Sequence, residues 1–393
     1  MDVETRTQTP ETESEGDRGL HYPDLKIASF RGIKELHIPR LGRVNLITGK
    51  NNTGKSSVLE ALRLHAQNGS PQTIGDILAF REELPSNTER REPTADLNGT
   101  SPVSALFHGF PLLWEEPVPI AISTNIYARS SELGIRMGRF VEEVEEDGAR
   151  RLIELKEDYD PESEHLVALI VETEEGAKPP IRLERLRPSR ASGSLSPARL
   201  LTAPRTACVF VSPYSAERTD ALARLWDAVA LTEDENQVVE ALRIIEPGIS
   251  AVTMVGDDGY RASRRAMTRL KGMLRPVPLR SLGDGVNRLF SIALSLVNAK
   301  GGILLIDEFE NGLHYTAQPD VWRMIFELAG SLDVQVFATT HSSDTVKGFQ
   351  QAAAESPEEG MLLRLVRAND ITHATLANED DLEIVTRGGI EVR

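Results

Sequence analysis

The sequence predicts an α/β fold, in which a head built on a parallel sheet carries an antiparallel β subdomain and a small helical insertion. Three observations support this. The runs RVNLIT (43–48), ACVFVS (207–212), GILLI (302–306) and VQVFATT (334–340) are continuously apolar and β-rich, as strands covered on both faces must be. Between 103 and 186 the shorter runs PIAISTNIYA, GIRMGRFVEE, RRLIELKE, HLVALIVE and PIRLERL alternate with turn and charge clusters, the pattern of an antiparallel sheet. Over 215–247 the apolar spacing becomes helical.

Length and composition bound what such a chain can do. Its 393 residues suffice for two or three domains and a large core. A formal net charge of −16 excludes a protein coated in lysine and arginine, so any nucleic-acid contact must use a local patch. The single cysteine, Cys208, excludes an intrachain disulfide framework, a cysteine-rich zinc site and a paired-thiol redox centre. No apolar run approaches the ~18 residues of a membrane span, and the N-terminus lacks the basic start and apolar centre of a secretory leader. These features predict a cytoplasmic protein with no membrane partner.

Residues 1–21 are acidic and poor in apolar side chains, which predicts a disordered tail. LKIASF (25–30) and KELHIP (34–39) read as short strands joined at Arg31-Gly32, with RVNLIT as a third. A helix is expected from Ser56 to Ala66 on the spacing of Val58, Leu59 and Leu62, ended by Asn68-Gly69. The β runs complete an N-terminal part of the head over 22–206, which ends in a linker (187–204) rich in Pro, Ser, Gly and Arg. The segment 207–277 is expected as a helical insertion or lid. Within it Leu222, Leu225, Trp226 and Val229 mark one helix, and Thr232 with Glu235 forms a capping box for another that closes at Pro247-Gly248. Residues 278–393 form the C-terminal part of the head.

Immediately after RVNLIT comes Gly49-Lys50-Asn51-Asn52-Thr53-Gly54-Lys55-Ser56, which matches G-x-x-x-x-G-K-[ST] and leads through Ser57 into the expected helix. Glycines let such a loop curl until successive N–H groups face a phosphate, and the helix start adds partial positive charge. Lys55 then bridges the β- and γ-phosphates, and the Ser56 hydroxyl ligates Mg²⁺. GILLI delivers Asp307 and Glu308 to the strand edge where open parallel sheets place their phosphate crevice. Asp307 suits the Mg²⁺ shell, and Glu308 can polarise an attacking water. Taken alone, the pair would read as an exposed acidic strand end.

Two further segments join these. Ser281-Leu282-Gly283-Asp284-Gly285-Val286-Asn287-Arg288 puts small residues at a helix start, a second anion site. VQVFATT delivers His341, followed by Ser342, Ser343 and Asp344. A lone histidine is usually structural, but this one ends a third strand after two nucleotide motifs. Two basic islands interrupt the acidic chain: 181–205 has six arginines and one acid, and 261–280 has six arginines, one lysine and no acid. They read either as a track for a nucleic-acid backbone or as salt-bridge partners for EEVEED (142–147) and other acids.

In order and wording, FRGI (30–33), VNLITGKNNTGKSSVLEAL (44–62), PLRSLGDGVNRL (278–289), ILLIDEFENGLH (303–314) and VFATTHSSD (336–344) resemble ATPase heads of the ABC/SMC/RecF type. They are most similar to the stand-alone AAA-family ATPases of the overcoming-lysogenization-defect (OLD)-like branch. The resemblance implies an ABC-type P-loop head that binds ATP and Mg²⁺ and forms an ATP-sandwich homodimer or higher oligomer. In it Ser281, Gly283, Asp284 and Gly285 would meet the partner's nucleotide, Asn311 to His314 would form the D-loop, and His341 would sense γ-phosphate. Arg31 lies where related heads place an arginine near the nucleotide. SLGDG departs from the transporter signature LSGGQ, and Gln67 and Gln72 lie too close to the phosphate-loop helix to serve as a Q-loop. Coiled-coil arms are absent, and the stretch after His341 is short for a Toprim nuclease. The implied function is an Mg²⁺-dependent ATPase that gates DNA sensing, or a separate nuclease or toxin effector, in bacterial genome maintenance or phage defence. The alternatives are an ATP-dependent assembly scaffold and the motor of a transporter.

Overall fold

A computed structural model describes residues 19–84, 101–112, 115, 117–126, 129–144, 150–155, 165–183, 186, 204–213, 219–256 and 264–377. Gly19 and Leu20, inside the stretch expected as a tail, are tied to the fold: Leu20 is buried and the Gly19 carbonyl accepts a bond from Arg43. Residues 1–18 of that tail, and 187–203 of the expected linker, lie outside the described residues.

Strands β1 (Leu25–Phe30) and β2 (Ile33–Ile38) form a hairpin with Phe30 opposite Ile33, and Arg31 takes a left-handed φ of 50° at the turn. β3 (Val44–Gly49) is buried throughout and runs into helix α1 (Lys55–Ala66). A second helix, α2 (Pro71–Phe80), was not foreseen; Ser70 caps it by accepting a bond from the Thr73 N–H, and Pro71 takes its first position. β4 (Ile120–Ile126), β5 (Arg129–Val144), β6 (Arg150–Glu154), β7 (Leu166–Thr173), β8 (Gly176–Ala177) and β9 (Ile181–Arg182) follow. With the first hairpin they build an antiparallel sheet ordered β2-β1-β4-β5-β7-β8, in which β6 pairs with β5 and β9 with β7.

The segment expected as a helical lid is mixed instead. Its first strand, β10 (Ala207–Val211), belongs to the main sheet, and helices α3 (Thr219–Val229) and α4 (Glu233–Leu242) precede an antiparallel pair, β11 (Ile249–Gly256) and β12 (Arg264–Leu270), to which β13 (Val277–Pro278) adds. A register shift between Ile249 and Ala251, and arginines at alternate faces of β12, obscure the period-two signal there. The capping box is displaced by one residue: Glu235 accepts from the Leu231 N–H, and the Thr232 hydroxyl donates back to Val229 O. α4 ends at Leu242, short of Pro247-Gly248.

The remaining elements are α5 (Asp284–Asn298), β14 (Gly302–Ile306), α6 (Gln318–Ser331), β15 (Gln335–Thr339), α7 (Ser343–Glu355), β16 (Gly360–Ala368) and β17 (Ile371–Ala377). The main sheet is ordered β10-β14-β15-β3-β16-β17, with every neighbouring pair parallel except the last. Alternate residues of its strands serve two cores. Val44, Leu46, Leu304, Ile306, Val336 and Ala338 pack under α3 to α7, whereas Ile47, Ile303, Leu305 and Phe337 pack against α1, α2 and the antiparallel sheet. That double burial is why these strands read as unbroken apolar runs. Parallelism also sends the ends of β3, β14 and β15 to one edge, where the phosphate loop, the paired acids and His341 emerge. No helix among the described residues is long and apolar enough to cross a membrane.

Candidate nucleotide-binding site

The loop after β3 is folded around its own lysine. Lys55 Nζ donates to the carbonyls of Gly49 (2.7 Å) and Lys50 (2.9 Å), and the Thr53 hydroxyl also closes on Lys50 O. Gly49, Asn52 and Gly54 adopt φ of 144°, 61° and 96°, and a Cβ on Gly49 would overlap the Leu365 carbonyl of β16. Glycine is therefore required by conformation and by space at Gly49. Lys50, Asn51 and Asn52 are exposed at the mouth, while Thr53, Lys55 and Ser57 are buried and Ser56 sits between. Burial lowers the Lys55 pKa, against the opposing pull of Asp307, Glu310 and Glu308.

The acids approach from β14. Asp307 is 5% exposed, and its Oδ1 accepts bonds from the Ser56 hydroxyl (3.1 Å) and the Thr339 hydroxyl (2.6 Å). The Thr339 oxygen in turn accepts the Glu308 N–H at 2.9 Å. Glu308 takes a left-handed φ of 48°, unusual for a residue with a side chain, and its Oε2 is held by the Asn311 amide at 2.7 Å. Behind this turn lies Arg288, only 5% exposed, which donates to the carbonyls of Ser212, Asp307 and Glu308 at 2.7, 2.8 and 2.9 Å. Desolvation draws its pKa down to about 10.

These contacts bear on an ion. Ser56 and Asp307 present adjoining hydroxyl and carboxylate oxygens at the loop mouth, a hard-oxygen donor set that fits Mg²⁺. No group of three His, Cys, Asp or Glu able to hold a metal occurs among the described residues, so nucleotide and water oxygens would complete the shell.

The other expected residues divide. His341 emerges exposed at the same edge; its backbone N–H donates to Glu310 Oε1 at 2.8 Å, and Ser342 caps α7. Ser281, Gly283 and Asp284 are exposed at the start of α5, with Gly283 at φ 104° and no side-chain cap on the helix. Gly285 lies against the D-loop, where an added Cβ would come within 3.0 Å of Gly312 O. Among the described residues no hydrogen bond or ion pair joins these signature residues to the phosphate loop of their own subunit. Arg31 is committed elsewhere: its guanidinium pairs with Glu60 and Glu83 and is 6% exposed. Of the basic islands, Arg182 pairs with Glu142 of EEVEED, Arg205 with Glu174 and Arg264 with Asp227, whereas Arg265, Arg269, Lys271, Arg275 and Arg280 are exposed. Thr339, Arg288 and Glu310 are site-forming residues to which sequence reasoning gave no role. All three lay inside quoted motifs, but neither spacing nor residue type marks them as supports for the site.

Comparison with known proteins identifies the domain and the fold. The family model described as "AAA domain, putative AbiEii toxin, Type IV TA system" matches residues 44–346. An "ATP/GTP phosphatase" of Helicobacter pylori is 22% identical over 392 residues, covering 92% of this chain and 94% of that one. The fold is shared with SMC heads. A head bound to the C-terminal winged-helix domain of ScpA superposes with TM-score 0.51 at 13% identity, covering 91% of this chain and 98% of that one. A head with an extended coiled coil, bound to the ScpA C-terminal domain derived from Pyrococcus furiosus, gives 0.50 at 12%, covering 93% and 98%.

Proposed function

The chain belongs to this AAA-domain family, and we propose that it is a cytoplasmic, Mg²⁺-dependent ATPase whose site is completed by the signature segment of a second copy. The observation that carries this reading is the linked set Ser56, Asp307, Thr339 and Glu308 at the mouth of the phosphate loop. Loop N–H groups and the start of α1 receive the triphosphate, and Lys55 turns from its carbonyls to the β/γ-phosphates. Ser56 and Asp307 would hold Mg²⁺, which when bound would supply charge neutralisation at the phosphate oxygens. Glu308, aimed by Asn311, polarises the water that attacks the γ-phosphate. His341 faces the same edge as its sensor.

The exposed, uncapped start of α5 supports the shared site, since its free N–H groups suit an anion that its own loop does not supply. We further propose that nucleotide state gates a separate effector protein, a nuclease or toxin, in phage defence or DNA repair. The support is the likeness to heads solved with a partner domain bound, the family's description as an AbiEii-type toxin, and the motif resemblance to OLD-like ATPases. DNA is retained as a partner through the exposed cations of 265–280 rather than Arg264.

Phosphate release from ATP should require Mg²⁺. Glu308→Gln should keep ATP affinity, lose about 10²- to 10⁴-fold in turnover, and shift to a dimer mass with ATP but not ADP. A wild-type protein that neither binds nor cleaves ATP sinks the enzyme reading. A variant that stays monomeric with bound ATP sinks the shared site alone.

A further inference from the structure

The signature segment touches the D-loop and the acid turn of its own subunit, at one point each. Gly285 packs on the Gly312 carbonyl, and Arg288, one helical turn further along α5, donates to the carbonyls of both Asp307 and Glu308. Those two carbonyls border the left-handed residue Glu308, whose N–H is taken up by Thr339. Such a backbone conformation persists only where its surroundings over-determine it. Here Arg288 Nη2, with Nη1 anchored on the Ser212 carbonyl, supplies that constraint from one side and the Thr339 hydroxyl from the other.

We propose that Arg288 is a positioning residue that ties α5, one turn past its exposed start, to the acid turn and so sets the aim of Glu308. The inference rests on the ATPase reading above. Its physical content is a short mechanical link: a ligand seated on Gly283 to Gly285 presses on α5, and the buried fork passes that displacement to the two carbonyls next to the water-polarising carboxylate. A signature contacted by one subunit's nucleotide would thereby adjust the hydrolytic group of the other site. Nη2 holds both acid-turn carbonyls while Nη1 is anchored on the Ser212 carbonyl, and a lysine's single ammonium, with no second nitrogen in a planar fork, cannot keep both the anchor and the pair.

The test is single-turnover hydrolysis, with ATP affinity measured separately, in wild type, Arg288→Lys, Glu308→Gln and the double variant. Arg288→Lys should hold ATP with unchanged affinity while the hydrolysis step slows roughly 10- to 100-fold, the usual cost of an ångström-scale misplacement. The double variant should be no slower than Glu308→Gln, because a residue acting through Glu308 has nothing left to aim. Losses that multiply, a rate equal to wild type, or an affinity loss as large as the rate loss would each overturn the proposal. So would an Arg288→Lys protein that does not fold, since the role would then be structural. Absence of turnover in the wild type removes the ATPase reading itself, which separates the two failures.

Discussion

Two charged clusters share helix α1, and they are wired in opposite ways. Around Glu60 the charges answer each other: Arg31 pairs with Glu60 and Glu83, and Arg81 pairs with Glu60, with Arg31 and Glu60 each 6% exposed. Around Lys55 the charges are held by neutral groups. Backbone carbonyls take the ammonium, hydroxyls bind Asp307, and an amide holds Glu308. Lys55, Asp307 and Glu308 form no ion pair with one another. A buried ion cluster that neutralises itself has nothing left for a ligand. One positioned by dipoles keeps its charge for phosphate and metal.

Lys55→Ala should have the largest effect, abolishing ATP binding in calorimetry, because no other flexible cation of the loop reaches the β/γ-phosphates. Wild-type heats would place the loop in the same purely structural class as the Glu60 cluster.

Glu60→Gln is the mirror experiment. Removing one partner leaves the buried Arg31 undercompensated and Arg81 without its carboxylate, for an expected loss of about 3 kcal/mol in urea unfolding. ATP affinity per folded molecule should not change. An affinity loss comparable to that of Lys55→Ala would mean that the two clusters are one.

A neutral buried group gives the contrast a pH dependence. His65 is 1% exposed; its Nδ1 meets the Tyr22 hydroxyl at 2.9 Å and its Nε2 lies 3.2 Å from Ser131 O. Burial first, and then Arg205, lower its pKa to about 4. The unfolded chain, near the ordinary 6.5, binds more protons between those values, so stability falls as pH drops from 6.5 towards 4. The contribution at stake is about 3 kcal/mol. Unfolding midpoints across that window should show it, and His65→Gln should flatten the curve. An equal slope in the variant would assign the effect to carboxylates.

The smallest effect is expected at the surface. Arg264 and Asp227 form an ion pair much like those of the interior, but Asp227 is 55% exposed. Arg264→Ala should change unfolding free energy by about 0.5 kcal/mol or less, and a shift as large as that of Glu60→Gln would contradict the role given to burial.

Sequence reading succeeded where local chemistry and fold agree. The two-faced burial of β3, β14 and β15 writes itself as apolar runs, and the phosphate loop needs glycine at Gly49 whatever the surroundings. It failed where the deciding partner is distant. Arg31 sits in a motif that places an arginine near nucleotide, yet Glu83 and Glu60 claim it. Thr339 looks like any β-former at a strand end, and its tie to Asp307 exists only once β14 and β15 lie side by side. β12 alternates correctly, but its exposed arginines resemble a charge run more than a strand.

The strand order has a consequence for how the protein is made. β3 is synthesised early, yet its sheet neighbours are β15 and β16, whose residues emerge about 290 to 320 positions later. At about 5–20 residues per second, the ribosome needs roughly 15 to 60 s to supply them. Through that interval the phosphate loop has a strand behind it with two bare edges, and Gly49 lacks the Leu365 carbonyl that shapes it. A nascent chain therefore cannot hold nucleotide until nearly the whole head has left the ribosome. Such an unpaired strand is an aggregation hazard while the chain is being made.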